Sequence, residues 1–484
     1  MKKNAILITL IFYTLMFTAP SFSSTRTITA TDVYQSNDGE LIWFDEFGLT
    51  LQGVSFSLLM DDLGIEIATF LNSQKFDEGK PTQEEQDRAY TKAAIYFLDK
   101  IQRISTDSES FESPNRGEVI EEHTFAEHIT KLVPPYDGVS RLRGMIRRYK
   151  VLVNRSWSQL KTEDFRLGQS NNNIFLLRQR LADLGDLNSF EPLSVRASIF
   201  DPSLIKGVEN FQKRHGIEAN GELNTLTTGL LNVTPQQRVT LMQLNLWRWF
   251  KLPSALPSRY VKINIPAFEL KLLEKEDNVL DMKVIVGKPQ TPTPTMNTAL
   301  TQLTVNPSWT PPWSIVSKEL IPRDIRQPGY LQHQNFKLRK LDDFTLVDMN
   351  NVSGSSLSGL LTNHQLIQSP GPKNALGRYR FTIPNKDTIF LHDTPTKSLF
   401  FSYNRALSHG CIRVSDPKGL SDYLMRSDKR LKNIYAALSD HSTHIFKLPE
   451  QLPVYITYHT SWVDELGKLQ FRADIYNLDR EEGK

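Results

Sequence analysis

A chain of 484 residues with a single cysteine cannot close a disulfide within itself. That excludes the covalent bracing common in exported proteins, which a chain able to form several hydrophobic cores does not need. An excess of charge is also missing: 57 Lys+Arg stand against 54 Asp+Glu, a net +3. A nucleic-acid binder would concentrate basic residues on one face. The short clusters at Arg141, Arg143, Arg147 and Arg148 read instead as a solvated helix face. No metal-ligand spacing is evident. His123 and His128 are five apart, and His441 and His444, three apart, have no HExxH or carboxylate motif beside them. No metal and no cofactor are expected. Beyond the first residues, no apolar run is long enough to cross a bilayer.

What is present begins with Lys2 and Lys3, a mainly apolar stretch from Ala5 to Phe17, and small or polar residues from Ala19 to Ser24. This pattern reads as a secretory signal over residues 1–23, cut near Ser23 or at Ala19. Left uncleaved, it would be an anchor and the chain's one membrane contact. Either way the remainder is expected outside the cytoplasm.

Residues 24–165 read as a helical scaffold. Pro81-Thr-Gln-Glu-Glu is a helix start, and Ala89, Ala93, Tyr96, Phe97 and Ile101 continue an apolar stripe. Residues 166–235 read as a compact three-helix module. Ile174, Leu177, Leu181 and Leu184 form one face closed by Gly185; Asp201-Pro202 opens a second helix that ends at Gly216; Asn220-Gly221 turns into a third. Residues 236–257 hold an amphipathic helix expected to return to the scaffold. From Ser258 the period falls to two, and strands are expected through about residue 460, with a further strand near Lys468–Ala473 joined through Leu466-Gly467 to Val454–Tyr458. Residues 461–484 thus make a C-terminal strand and tail. Between about 309 and 368, prolines and a Ser/Gly run interrupt the strand pattern, as a lid insertion would. The fold class expected is multidomain α+β, with a β-rich C-terminal half.

The lone thiol decides what the β-rich half is for. Strand Thr388–Leu391 ends in His392, and fifteen residues later comes Ser408-His409-Gly410-Cys411. A thiol becomes a useful nucleophile when a base or positive charge stabilises its thiolate. Gly410 lets the backbone approach a substrate and turn N–H groups toward a tetrahedral oxyanion. Papain-like proteases place cysteine before histidine, the reverse of the order here. Arg413 fits either a substrate carboxylate, through its bidentate fork, or an ion pair with Asp416. Tyr379 and Phe390 either line the site or fill a buried strand; Trp309, Trp313 and Tyr330 either cover a ligand or form the insertion's own core.

His392, the fifteen-residue gap and "SHGC" resemble the signature of YkuD-type L,D-transpeptidases. Ile412 fits the apolar position that follows, and Arg413 stands where the family usually has asparagine. "HGCIRV", Asn306-Pro-Ser-Trp309, Pro312-Trp-Ser-Ile315 and "GPKNALGRYRF" resemble the large Gram-negative members, and Gly207–Leu231 resembles a peptidoglycan-binding domain. The resemblance implies Cys411 as nucleophile, His392 as base oriented by the Asp393 backbone carbonyl, and His409 and Gly410 as parts of the signature. Ser408 would hydrogen-bond within the site, and Arg413, Tyr379, Phe390 and Trp309 are candidates for touching substrate. It implies acyl transfer from the diaminopimelate of a peptidoglycan tetrapeptide stem, release of D-alanine, and a periplasmic location. Peptidoglycan stems are the expected partner, and other cell-wall synthases are possible ones. A carboxypeptidase using water as acceptor, or a non-catalytic wall anchor, are the alternatives.

Overall fold

The computed structural model describes residues 29–482, apart from residues 36, 72–79, 108–124, 189–193, 195, 255–256, 276, 351, 353, 427–428 and 441. The expected signal segment, His123 and His441 lie outside the described residues.

The first half is helical. Long helices span Leu51–Asp62, Gln83–Asp107 and Asp137–Leu152, and a fourth, Pro235–Trp249, lies against Asp137–Leu152. Thr234 opens that fourth helix with a capping box to Gln237, and Pro235 occupies its first turn. Gly138 lets the two helices touch: a Cβ there would come within 2.6 Å of the Trp249 ring. The arginine cluster is not simply solvated. Arg143 Nε and Arg147 Nη2 close to 2.6 and 2.7 Å on the fully buried carboxylate of Asp62. A buried carboxylate needs such paired donors, and periodicity alone does not reveal which cations supply them.

Between the third and fourth of these helices the chain forms three more, Asn172–Leu184, Pro202–Arg214 and Thr225–Asn232. Gly185 caps the first at φ 85°, and the Asp201 carboxylate accepts the Leu204 N–H at the start of the second. Buried Gln212 ties the module together. Its amide nitrogen donates to Asn220 Oδ1, the Glu222 carbonyl and Thr227 Oγ1, and its oxygen accepts the Gly221 N–H at 2.8 Å. The module is not hung on a tether. A continuous apolar core runs from Trp43, Phe56 and Phe97 through Leu181 and Phe211 to Phe471.

From Arg259 the chain is β-rich. Nine strands are labelled in chain order: β1 Arg259–Asn264, β2 Glu269–Glu274, β3 Asp277–Gly287, β4 Met296–Val305, β5 Tyr379–Thr382, β6 Phe390–His392, β7 Ala406–Ser408, β8 Ile412–Val414 and β9 His444–Thr457. They pair in the order β7-β3-β8-β6-β5-β4-β9-β1-β2, and β2 pairs back onto β3, so the sheet closes on itself around its own core. Most pairs are antiparallel, but β6–β8, β3–β7 and β1–β9 run parallel. Lys468–Ala473 does not pair with Val454–Tyr458. Leu469–Phe471 instead forms a separate hairpin with Ser461–Val463, because Val454–Thr457 is already occupied by β1 on one side and β4 on the other.

The insertion between β4 and β5 is more regular than its prolines indicate. It holds a three-stranded sheet of Phe336–Lys340, Leu346–Asp348 and His364–Gln368, short helices, and a core around Ile321, Leu331, Leu338, Leu357 and Leu366. Trp309 and Gln368 pair backbone to backbone at its neck.

Candidate active site

The parallel pair β6–β8 brings the two halves of the sequence signature together. Leu391 faces Ile412 and His392 faces Arg413, which leaves Cys411 one residue before β8 and opposite the start of β6. Buried His392 has Nδ1 2.5 Å from the Asp393 carbonyl oxygen, so Nδ1–H donates and Nε2 is left as the acceptor. The Asp393 carboxylate is engaged elsewhere: it accepts the N–H groups of Arg378 and Thr394 and pairs with Lys397 at 2.6 Å.

Burial, reinforced by the neighbouring Arg413 charge, pushes His392 down from its ordinary value to about 3. Burial pushes the Cys411 thiol up, opposed by the Phe390 backbone and by Arg413. No hydrogen bond joins Cys411 to His392; the thiol lies 3.9 Å from the Thr388 carbonyl. The resting pair is therefore neutral thiol and neutral imidazole. A preformed thiolate, the simplest expectation from a cysteine near a histidine, is not what the fold builds.

The cysteine loop is held from three sides. Ser408 Oγ accepts the Gly410 N–H at 3.1 Å and donates to the Cys411 carbonyl at 2.6 Å. Gly410 has φ 118°, a conformation side chains rarely adopt, so glycine is required there. Its N–H, being engaged by Ser408, is not free to receive an oxyanion. Thr293 Oγ1 accepts the Gly287 N–H and donates to the Gly410 carbonyl at 2.7 Å. On the far side Asn385 binds the carbonyls of Ile383 and Ile389 and the Ile389 N–H, fixing the turn in which Thr388 adopts φ 56°. His409 leaves this loop toward the insertion, where Glu319 lies on a π-helical turn, Val316–Leu320.

Arg413 makes no ion pair with Asp416, which instead caps the helix Pro417–Leu424. Its buried Nε has no partner. The register places Arg380 of β5 directly across from His392, on the side opposite Arg413. Arg380 Nη2 donates to Thr304, and its Nε is likewise buried and unpartnered. In the sheet, His392 thus has an arginine on each neighbouring strand, and of the two only Arg413 acts on its ring charge.

Phe390 is half-buried, with its ring 5.7 Å from that of His392 and the Arg380 guanidinium 5.7 Å from the Phe390 ring. Tyr379 is not brought to this site. Side chains alternate along a strand, so with Arg380 on the His392 face, Tyr379 and Phe381 point into the core. Burial pushes the Tyr379 phenol up to about 12. Trp309 packs on Phe336 in the insertion's core, its ring centroid 6.1 Å away, and serves the neck. Arg380, Glu319, Thr293 and Asn385 were not singled out by sequence reasoning. For Arg380 the signal existed: it is the odd residue in the Tyr379/Phe381 alternation.

Residues 258–440 match the family profile YkuD, described as "L,D-transpeptidase catalytic domain". The β-rich half is thus the part of the chain that matches the L,D-transpeptidase catalytic domain family. Residues 170–231 match "Putative peptidoglycan binding domain", in agreement with the three-helix module. A curated Haemophilus influenzae protein named "Putative L,D-transpeptidase" is 32% identical over 223 residues, 45% of this chain and 44% of that protein. The chain therefore spans less than half the length of that relative. Among solved structures, an L,D-transpeptidase from Stackebrandtia nassauensis is 14% identical, with 61% of this chain and 95% of that one covered and a TM-score of 0.23. One from Xylanimonas cellulosilytica is 13% identical, covering 62% and 100%, with a TM-score of 0.20. Such scores add no argument; the assignment rests on the sequence matches.

Proposed function

We propose that the chain is a peptidoglycan L,D-transpeptidase acting in the periplasm, with Cys411 as nucleophile and His392 as general base. The observation that carries this reading is the β6–β8 register, which sets a neutral imidazole with its Nε2 unprotonated beside the only thiol, with Arg413 next to both. Substrate entry excludes water and closes the gap between thiol and base. His392 Nε2 takes the thiol proton as sulfur attacks the carbonyl of the L-centre of diaminopimelate. The tetrahedral intermediate expels D-alanine, whose nitrogen receives that proton, and a Cys411 thioester remains. The side-chain amine of a second diaminopimelate then attacks the thioester, passing its proton through His392 to the departing sulfur. One peptide bond is exchanged for another, so no ATP is consumed.

Arg413 and Arg380 suit the carboxylates of the stem. Neither guanidinium has its Nε satisfied, which favours a free carboxylate donor over an internal peptide bond in an ordinary L-peptide and speaks against the protease reading. With water as acceptor the same thioester would give L,D-carboxypeptidase activity. The intact constellation at Cys411 and His392 disfavours a purely non-catalytic anchor.

The test is intact mass and product analysis after mixing residues 24–484 with purified disaccharide-tetrapeptide. The expected result is D-alanine release, a thioester on Cys411 and a diaminopimelate-linked dimer. Peptidoglycan binding without D-alanine release would establish the anchor instead.

A further inference from the structure

A cavity lined by none of the residues of the candidate active site lies where the helical half meets the outside of the barrel. It encloses about 310 Å³, at the small end of ligand sites, and is lined by the helices Asp137–Leu152 and Pro235–Trp249, by β1 and β2, and by the C-terminal hairpin. His459 lines it, is almost fully buried, and has no partner for either ring nitrogen. The indole Nε1 of buried Trp249 is also unpartnered, as is Arg141 Nε. Buried polar groups are nearly always satisfied, so a concentration of orphans around one cavity marks something that belongs there.

The charges of the lining identify its class. Among the described residues Lys262 has no carboxylate within ion-pair distance; its ammonium lies 4.9 Å from the Trp249 ring, and that ring packs on His459 at 4.8 Å. Burial, with Lys271 adding repulsion, pushes Lys262 down to about 8. Glu269 and Glu465 also line the cavity and share Lys271, the cross-strand neighbour of Lys262, at 3.9 and 2.9 Å; Asp277 lines it with them. The cavity therefore holds a cation without an ion-pair partner among the described residues, together with an acidic group in which two carboxylates divide one cation. An anion alone would satisfy only the first, and an amine alone only the second.

We propose that this cavity binds a small zwitterionic peptide, its carboxylate on Lys262 and His459 and its free amine on Glu269 and Glu465. The tripeptide stem L-alanyl-γ-D-glutamyl-diaminopimelate carries both groups. Choosing it rests on the peptidoglycan reading above, whereas the cavity's demand for a zwitterion does not.

Isothermal titration of the full chain with that tripeptide tests the proposal. It lacks the D-alanine that acylation at Cys411 would release. Binding is expected to survive Cys411→Ala and Arg413→Gln. It should weaken by at least about 30-fold in Lys262→Met, and measurably in Glu465→Gln, which sits at the more open rim and keeps the test valid if Lys262→Met does not fold. Binding that Arg413→Gln removes and Glu465→Gln leaves intact belongs to the catalytic site and overturns the proposal. So does failure of the tripeptide to bind, or tighter binding of the N-acetylglucosamine–N-acetylmuramic acid disaccharide without its peptide. Loss of D-alanine release from tetrapeptide, with tripeptide binding retained, would fail the active-site reading alone.

Discussion

Glu319 Oε1 lies 2.5 Å from His409 Nε2, so the insertion grips the loop two residues before Cys411, the proposed nucleophile. Lys288 Nζ approaches the same nitrogen at 3.5 Å. The contact joins a separately cored insertion to the element that must stay ordered through acylation and deacylation. Replacing Glu319 by glutamine removes the charge and keeps the shape. With the insertion less firmly seated, water should compete better for the thioester. The expected outcome is a rise of about tenfold in the ratio of hydrolysed to cross-linked product, with the acylation rate changed far less. Chromatographic product ratios from a single tetrapeptide substrate check it.

Cys411→Ala should abolish D-alanine release, by about 10⁴-fold or more, while peptidoglycan binding persists. Co-sedimentation with purified sacculi reads the second property. A retained release rate would remove Cys411 from the chemistry.

Arg413 supplies a test that separates function from stability. A half-buried guanidinium whose Nε is buried without a partner destabilises the folded state, so Arg413→Met should raise the thermal midpoint, in line with a gain of about 1 kcal/mol. The same change should lower kcat/KM by about 100-fold, mostly through KM. A fall in both stability and activity would make Arg413 a structural residue.

His392 makes stability depend on acid. Its folded value lies near 3 against an ordinary 6.5, so the unfolded chain binds the proton more readily. The corresponding stability is fully present above about pH 6.5 and is lost as pH falls toward 3. His215 and His459 are also pushed down by burial and act with the same sign. Denaturant midpoints measured from pH 7.5 to 4 should fall for the parent protein and fall less for His392→Gln. In the free enzyme, the acid limb of kcat/KM should show no titration of His392 near 6.5.

Thr293→Val removes one hydroxyl that both accepts from Gly287 and donates to Gly410. Leaving both groups buried without a partner should destabilise the catalytic half by about 2 kcal/mol. Slower acylation is expected with the Cys411 thiol still titratable by a small disulfide reagent.

The meeting of Cys411 and His392, the proposed catalytic pair, was legible because both sit in one short signature, and the strand expected to end at His392 is β6. The module was legible for a similar reason: Gln212 and its partners Asn220, Gly221 and Thr227 lie within sixteen residues, so one sequence window holds the whole network. What escaped were contacts between distant segments. Glu319 lies ninety residues before His409, and Thr293 meets Gly410 across 117. Arg380 faces His392 only once the register is fixed, and a one-residue slip would have placed Tyr379 there instead. The helical face at Arg143 and Arg147 looked solvated for the same reason, its buried acid being 81 residues earlier than Arg143.

The shared core that runs from the first helices through the three-helix module to Phe471 has a consequence for work on a surface. A module on a flexible tether lets a catalytic head sweep a volume, and its effective concentration there depends on the tether's length. Here Arg472 donates to the Arg214 carbonyl and His215 stacks on Phe471, so the three-helix module and the chain that leaves the barrel are docked together. If the module settles on a wall strand, as proposed, the thiol would be presented at one offset and one heading, as a jig holds a tool.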